Sequence, residues 1–93
     1  MIIVSQDKDV IVNFDNVGNI WINNPLENDD GKFEIIAENY LNNTVIGDYK
    51  TEERAKEILQ EIIEFYEISK RYESKNGVIV FQDNKFVYEM PEN

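Results

Sequence analysis

The chain has 93 residues, 19 acidic against 9 basic side chains and a formal charge of −10, with no His and no Cys. These counts exclude thiol nucleophiles, disulfides, thiolate–zinc sites and imidazole general bases, and the acidic excess argues against broad contact with nucleic-acid phosphates. Because no apolar run approaches the ~20 residues that span a bilayer, we expect one cytoplasmic domain without a membrane segment.

Short apolar runs separated by turn residues fill the first half of the chain and predict strands. The predicted strands cover residues 1–5, 10–14, 20–22, 32–39 and 44–49. Gly47, inside the fifth run, indicates a bulge or a close approach of another group. Because the connections between the runs are short, they favour an antiparallel five-stranded meander sheet over a parallel one.

The clearest local pattern is an amphipathic helix predicted over residues 51–73. Thr51 is a favoured N-cap, and the glutamates that follow it suit the positive end of the helix dipole. Lys70 and Arg71 suit the negative end, and Asn76-Gly77 supplies a C-terminal stop.

After the helix, residues 78–82 and 86–90 predict a hairpin whose turn is formed by residues 83–85. Pro91 then ends the last strand. The predicted fold class is therefore α+β, with an antiparallel five-stranded meander sheet, one long amphipathic helix packed across it and a C-terminal β-hairpin.

Apolar residues occupy nearly half the circumference of the predicted helix, more than a small sheet can cover. The surplus residues on one side of the sheet-facing stripe are Ile58, Phe65, Ile68 and Tyr72. A helix of roughly 33 Å also overhangs strands of about 17–20 Å. We therefore predict a homodimer through these four residues, with coverage by the chain's own C-terminal hairpin as the alternative.

The opposite face of the helix is acidic. Its glutamates, spaced by three and four residues, are Glu53, Glu57, Glu61, Glu64 and Glu67. Such a row is typical of a solvated face that maintains solubility. It would also suit a mimic of a phosphate backbone that blocks a nucleic-acid-binding protein, in which case partner binding depends steeply on salt.

Cations and aromatic residues collect around the end of the helix and the final hairpin. The candidate ligand-binding residues are Lys70, Arg71, Lys75, Phe81 and Lys85. Cationic groups pair with phosphate and rings stack on bases, so the pattern indicates a nucleotide site. The alternative is that Lys70 and Arg71 only complement the helix dipole while the aromatic residues form core.

Neither catalysis nor metal binding is expected. The serines have no His to activate them, and the scattered glycines form no phosphate-binding loop. The acidic segment 27–34 offers oxygen ligands, but it lacks the alternation and the terminal Glu of an EF-hand, so a polar hairpin loop explains it. We predict a non-enzymatic protein without catalytic residues, cofactor or metal.

Four segments of the chain resemble short uncharacterised proteins of clostridia, bacilli and their phages. They are MIIVSQD at 1–7, VNFDN at 12–16, GDYKTEERA at 47–55 and YEMP at 88–91. Small acidic phage proteins of this build often inhibit host defence, which the resemblance extends to this chain as an expectation. The predicted build also resembles the Thoeris anti-defence sponges, and this implies a homodimer that sequesters a cyclic ADP-ribose signal at its seam without cleaving it.

The sequence and the resemblance together predict a non-enzymatic phage or mobile-element protein that sequesters a nucleotide signal in the host cytoplasm. The ligand would lie near Lys70, Arg71, Lys75 and Phe81. Two alternatives stay open. The protein could instead bind a host protein directly through its glutamate face or its apolar helix arc, or it could be a scaffold subunit without a ligand.

Overall fold

The computed structural model describes residues 1–25, 31–40, 42–75 and 86–93, with side chains of the helix described up to Lys70. In chain order the elements are β1 (Ile2–Val4), β2 (Ile11–Asn13), a 3-10 helix (Phe14–Asn16), β3 (Val17–Asn23), β4 (Phe33–Asn39), β5 (Asn43–Tyr49), α1 (Glu52–Lys75) and β6 (Val87–Glu89).

Within the described residues the strands form two three-stranded sheets, with orders β2-β1-β6 and β3-β4-β5. The α+β class is confirmed, but the predicted five-stranded meander is wrong. Only β3, β4 and β5 form an antiparallel meander, whereas β1 pairs antiparallel with β2 and parallel with β6.

Asn13 explains why β2 does not continue into the meander. Its side chain accepts a hydrogen bond from the Asp15 amide at 3.1 Å and caps the 3-10 helix, so the predicted strand turns into that helix after a last ladder bond from the Phe14 amide to the Met1 carbonyl at 2.9 Å. The free edge of β1 is then filled from the other end of the chain. Ile2 donates its amide to the Phe86 carbonyl at 2.8 Å, and Met90 donates to the Val4 carbonyl at 3.0 Å.

The bulge predicted at Gly47 is confirmed. Ile35 lies opposite Gly47 but Ile36 lies opposite Val45, so Ile46 is the extra residue of β5. A Cβ on Gly47 would lie only 2.8 Å from the Tyr49 hydroxyl. Any larger residue here would therefore force the buried Tyr49 ring to move.

α1 begins as predicted, since the Thr51 hydroxyl accepts a hydrogen bond from the Arg54 amide at 3.1 Å. It runs to Lys75, two residues beyond the predicted end. The predicted stop at 76–77, the first strand of the predicted hairpin and its turn lie outside the described residues. The second strand of that hairpin is β6, whose observed partner is β1.

A single core lies between α1 and both sheets. Its buried residues are Ile3, Ile35, Ala37, Ile46, Tyr49, Ala55, Ile58, Ile62, Tyr88 and Met90. α1 packs on the β3-β4-β5 sheet, while Ile3 and Tyr88 bring the β2-β1-β6 sheet to the same cluster. The two sheets are also joined directly, because Gln6 donates its amide to the Ile46 carbonyl at 2.8 Å.

Candidate functional site

Of the five predicted ligand-binding residues, Lys70 is the one whose side chain the structure describes. The Lys70 ammonium lies 3.2 Å from Asp15 Oδ1 and 5.3 Å from the centroid of the Tyr66 ring. Tyr66 in turn contacts Phe14 edge to face, with centroids 5.0 Å apart. This cation therefore helps to fasten α1 to the 3-10 helix through an ion pair and a cation–π contact.

The remaining predicted ligand residues cannot be combined with Lys70 into one geometry. Arg71 and Lys75 lie on the last turn and a half of α1, where only the backbone is described, and Phe81 and Lys85 lie outside the described residues. A phosphate arriving at Lys70 would compete with Asp15 for the ammonium. The aromatic group that Lys70 does meet is Tyr66.

The four predicted interface residues have different environments. Ile58 is 0% exposed within its own chain, so it belongs to the core and offers no surface to a second copy. Phe65 is half-buried and packs edge to face on Tyr88 at 5.8 Å. Ile68 is 57% exposed, and the side chain of Tyr72 lies outside the described residues. Of these four, Ile68 is the residue whose described side chain offers a large surface.

Two glutamates on the acidic face of α1 contact other side chains of the same chain. Arg54 Nη1 lies 3.3 Å from Glu57 Oε2 and 3.7 Å from Glu61 Oε2. Glu61 also accepts a hydrogen bond from the buried Tyr88 hydroxyl at 2.8 Å. Burial, and then this carboxylate, raise the pKa of Tyr88, because both disfavour a second negative charge there. Glu61 therefore stabilises the edge of the core as well as contributing charge.

Most of the other glutamates on this face are directed to solvent. Glu64 accepts a hydrogen bond at 3.3 Å from the side-chain amide of Gln60, which is a neutral donor. Glu53, Glu57, Glu64 and Glu67 are all exposed. The face is thus a fixed array of carboxylates, held in register by a helix whose other side is buried.

Sequence reasoning did not find the recess at the N-terminal end of α1. It has a volume of about 420 Å³ and is lined by residues far apart in the chain, from Gln6 to Asn93. Its cations (Lys32, Lys50 and Arg54) face two acidic neighbours, Asp48 and Glu92. This mixture of signs suits a structural polar recess better than a specific anion site.

The same recess holds the last residues of the chain. Tyr49 donates its hydroxyl to the Pro91 carbonyl at 2.8 Å, Gln6 donates to the Glu92 carbonyl at 2.8 Å, and Arg54 Nε donates to the Asn93 carbonyl at 2.9 Å. Burial raises the pKa of Tyr49 to about 12, which keeps this donor protonated well into the alkaline range. The contacts join β1, β5 and α1 to one tail.

The described residues show neither a metal-binding cluster nor a membrane-spanning helix. Within them, no cluster of three or more acidic side chains is arranged to hold a metal ion. No helix in the described ranges is both long and apolar enough to cross a membrane. Half of the acidic segment 27–34, residues 27–30, lies outside the described residues.

Comparison with known proteins gives no match: no family model, no curated protein and no solved structure is detectably similar to this chain. The resemblance to phage and anti-defence proteins therefore stays a prediction.

Proposed function

We propose that the protein is a non-enzymatic binding protein that occupies a basic surface of another protein through the acidic face of α1. The observation that carries this proposal is the charge of that helix. Its first sixteen residues contain six glutamates against Arg54 and Lys56. The carboxylates lie on a face that the fold leaves exposed while the other side of the helix fills the core.

Rigidity supports the proposal. A flexible acidic tail loses conformational freedom when it binds a partner, whereas α1 is already ordered by its Thr51 cap and by core residues such as Ile58 and Ile62. Carboxylates at i, i+4 and i+7 positions therefore present negative charge with fixed spacing. Exposed charges of this kind steer encounter with a basic surface and lose strength as salt rises.

The test uses a short oligolysine peptide as a defined basic probe, titrated calorimetrically from about 50 to about 200 mM salt. The test variant is E53Q/E57Q/E64Q on α1, and the matched control, with the same net charge, is D9N/E89Q/E92Q, three exposed positions outside α1 and outside the β3-β4-β5 sheet. If the helix face is the binding surface, the helix variant weakens binding about fivefold and flattens the salt dependence, while the control keeps both. Equal losses in the two variants would show that only net charge matters and would refute the proposal.

A second candidate is sequestration of a nucleotide signal at the C-terminal end of α1 by a phage or mobile-element protein acting in the host cytoplasm. The observation that favours it is the collection of Lys70, Arg71 and Lys75 in the last six residues of α1, of which the Lys70 ammonium lies 5.3 Å from the centroid of the Tyr66 ring. Cations next to an aromatic face suit a phosphate attached to a base. In this reading Ile68 would contribute to a homodimer seam that pairs two such sites.

The chain's two arginines give this candidate a matched test, because Arg71 lies at the proposed site and Arg54 lies at the other end of α1. Calorimetric titration with cyclic ADP-ribose isomers should give saturable heat that R71Q removes and R54Q preserves. Light scattering should give twice 11.0 kDa for the native chain and 11.0 kDa for Ile68→Asp. Absence of heat, or a monomer in the native chain, counts against this candidate and leaves the first one standing.

A further inference from the structure

The outer face of the β3-β4-β5 sheet carries a row of apolar side chains that runs across all three strands. Trp21 pairs with Ile36, and Ile36 pairs with Val45. Residues on either side of Trp21, namely Ile20 and Ile22, pack against the core, so alternation directs Trp21 to the opposite face. We call Trp21, Ile36 and Val45 the tryptophan row.

Polar rows border the tryptophan row on both sides. One contains Asn19, Glu38 and Asn43, and the other contains Asn23, Glu34 and Asp48. Asn19 donates to Glu38 Oε1 at 2.9 Å, and Asn23 donates to Glu34 Oε1 at 3.1 Å. These cross-strand bonds orient the two carboxylates on β4, one on each side of Ile36.

This arrangement has the composition of a small binding surface. Trp21 is the only tryptophan in the sequence, and Val45 is 47% exposed. Aromatic residues are enriched at the centres of protein interfaces, where a polar rim surrounds an apolar middle. Packing between neighbouring strands explains why the three apolar side chains lie side by side. It does not explain why oriented carboxylates border them.

The charge of this sheet face determines which kind of partner it can bind. If two copies stacked this face on itself, the carboxylates of Glu34 and Glu38 would meet their own counterparts, and like charges brought together oppose association. The formal charge of −10 adds a general repulsion between copies. A partner that carries basic side chains on both sides of an apolar one would complement all three rows.

We infer that this sheet face docks a segment of another protein in which an apolar side chain lies between basic ones. The surface is separate from the acidic face of α1, because α1 packs on the inner side of the same sheet. The nine positions cover roughly 13 Å along the strands and 10 Å across them. This is small beside the ~800 Å² per partner of a standard interface, so the contact is weak and exchanges quickly.

The experiment uses a short peptide of alternating lysine and leucine as the probe and the emission of Trp21 as the signal. Binding should give a saturable blue shift, since the peptide removes water from the indole. Val45→Glu should weaken binding about tenfold, which corresponds to about 1.4 kcal/mol. The matched control is Ile63→Glu on α1, because Ile63 is also 47% exposed and should leave the affinity unchanged.

A charge test separates this inference from the proposed function. E34Q/E38Q should weaken the lysine–leucine peptide several-fold, and E53Q/E57Q on α1 should not. Val45→Thr, which keeps the β-branched shape, replaces Val45→Glu if circular dichroism shows that the glutamate variant is unfolded.

Three results would overturn the inference. They are the absence of a saturable emission change, an equal loss of affinity in the Val45 and Ile63 variants, and a doubled mass by light scattering that depends on Val45. The last result would mean that the face pairs with a second copy. Each of these leaves the oligolysine test of the helix face unaffected.

Discussion

Replacing Gly47 by alanine tests how the bulge in β5 is held against the core. The new Cβ would lie 2.8 Å from the Tyr49 hydroxyl, 2.9 Å from Cε2 of the same ring and 3.2 Å from Cε of Met90. The first two distances are shorter than carbon atoms tolerate, so the ring must move. Tyr49 is 2% exposed and donates its hydroxyl to the Pro91 carbonyl at 2.8 Å, so the movement also weakens that hydrogen bond.

The expected cost follows from three opposing contributions. Overpacking of a filled core costs about 1–3 kcal/mol, and a weakened buried hydrogen bond costs about 1 kcal/mol. Loss of glycine's freedom in the unfolded chain returns about 0.4–1 kcal/mol. We therefore expect Gly47→Ala to lower the free energy of unfolding by about 2 kcal/mol. A domain of this size has roughly 5–15 kcal/mol in total, so the loss is easily measured.

Urea titration followed by circular dichroism measures the effect, with Gly18→Ala as the matched control. Gly18 also lies at a register shift, but a Cβ there would approach Glu38 O only to 3.9 Å, which is an ordinary contact. Gly18→Ala should therefore leave stability unchanged within about 1 kcal/mol. In a Tyr49→Phe background the nearest contact disappears, and Gly47→Ala should cost about 1 kcal/mol less. Equal effects at Gly47 and Gly18, or additive effects of Gly47→Ala and Tyr49→Phe, would refute the reasoning.

Three further outcomes are expected. Thr51→Ala should lower stability by about 1 kcal/mol and Thr51→Ser should restore it, because the cap oxygen accepts a hydrogen bond from the Arg54 amide in the first turn of α1; equal urea midpoints for all three chains would contradict this. Asp15→Asn should cost less than about 1 kcal/mol by removing the ion pair with Lys70, and the difference from the native chain should vanish in ~1 M salt. Burial raises the pKa of Tyr49 from 10.0 to about 12, so the stability that its neutral phenol contributes is complete below pH 10 and is lost between pH 10 and 12. Tyr49→Phe should therefore lose less stability than the native chain over that alkaline interval, and parallel losses in the two chains would be the contrary result.

Local patterns in the sequence predicted the elements but not how the strands pair. The N-cap at Thr51, the helix and the meander of β3, β4 and β5 follow from signals that lie within a few residues of one another. The pairing of β1 with β6 joins Ile2 to Val87 across nearly the whole chain. Strand sequences do not specify so distant a partner, and the cap that turns the chain at Asn13 uses the same residue type as an ordinary hairpin loop.

The error at Ile58 has the same origin. The apolar arc on α1 is wider than one flat sheet can cover, and the sequence alone therefore predicts that a second copy of the chain covers the remaining apolar residues. The second sheet supplies Ile3 and Tyr88, which enter the same core as Ile58, and Tyr88 packs on Phe65. Among the four predicted interface residues, Ile68 is the one whose described side chain is still largely exposed.

The tryptophan row could not be predicted because strict alternation assigns Val45 to the wrong face. Alternation along β5 places Val45 on the same side as Gly47 and Tyr49, both of which are buried. The extra residue Ile46 changes the phase, so that Val45 lies opposite Ile36 on the outer face. A bulge is visible in sequence only as a glycine, and the glycine does not reveal which neighbour is the extra residue.

The bulge at Gly47 lies against the core and also determines the face on which Val45 lies. Gly47→Ala can therefore show whether the Tyr49 ring or the strand β5 moves. Straightening β5 would break ladder hydrogen bonds and the 2.8 Å bond from Gln6 to the Ile46 carbonyl, whereas moving the Tyr49 hydroxyl displaces only the far end of one side chain. We expect the ring to move and the phase of β5 to survive. A dissolved paramagnetic agent should then broaden the Val45 methyl signals of the variant as strongly as those of the native chain, and Ile46 should stay protected. Exchange of these two environments would show that the strand had slipped and that the glycine holds the phase of the strand as well as making room for the ring.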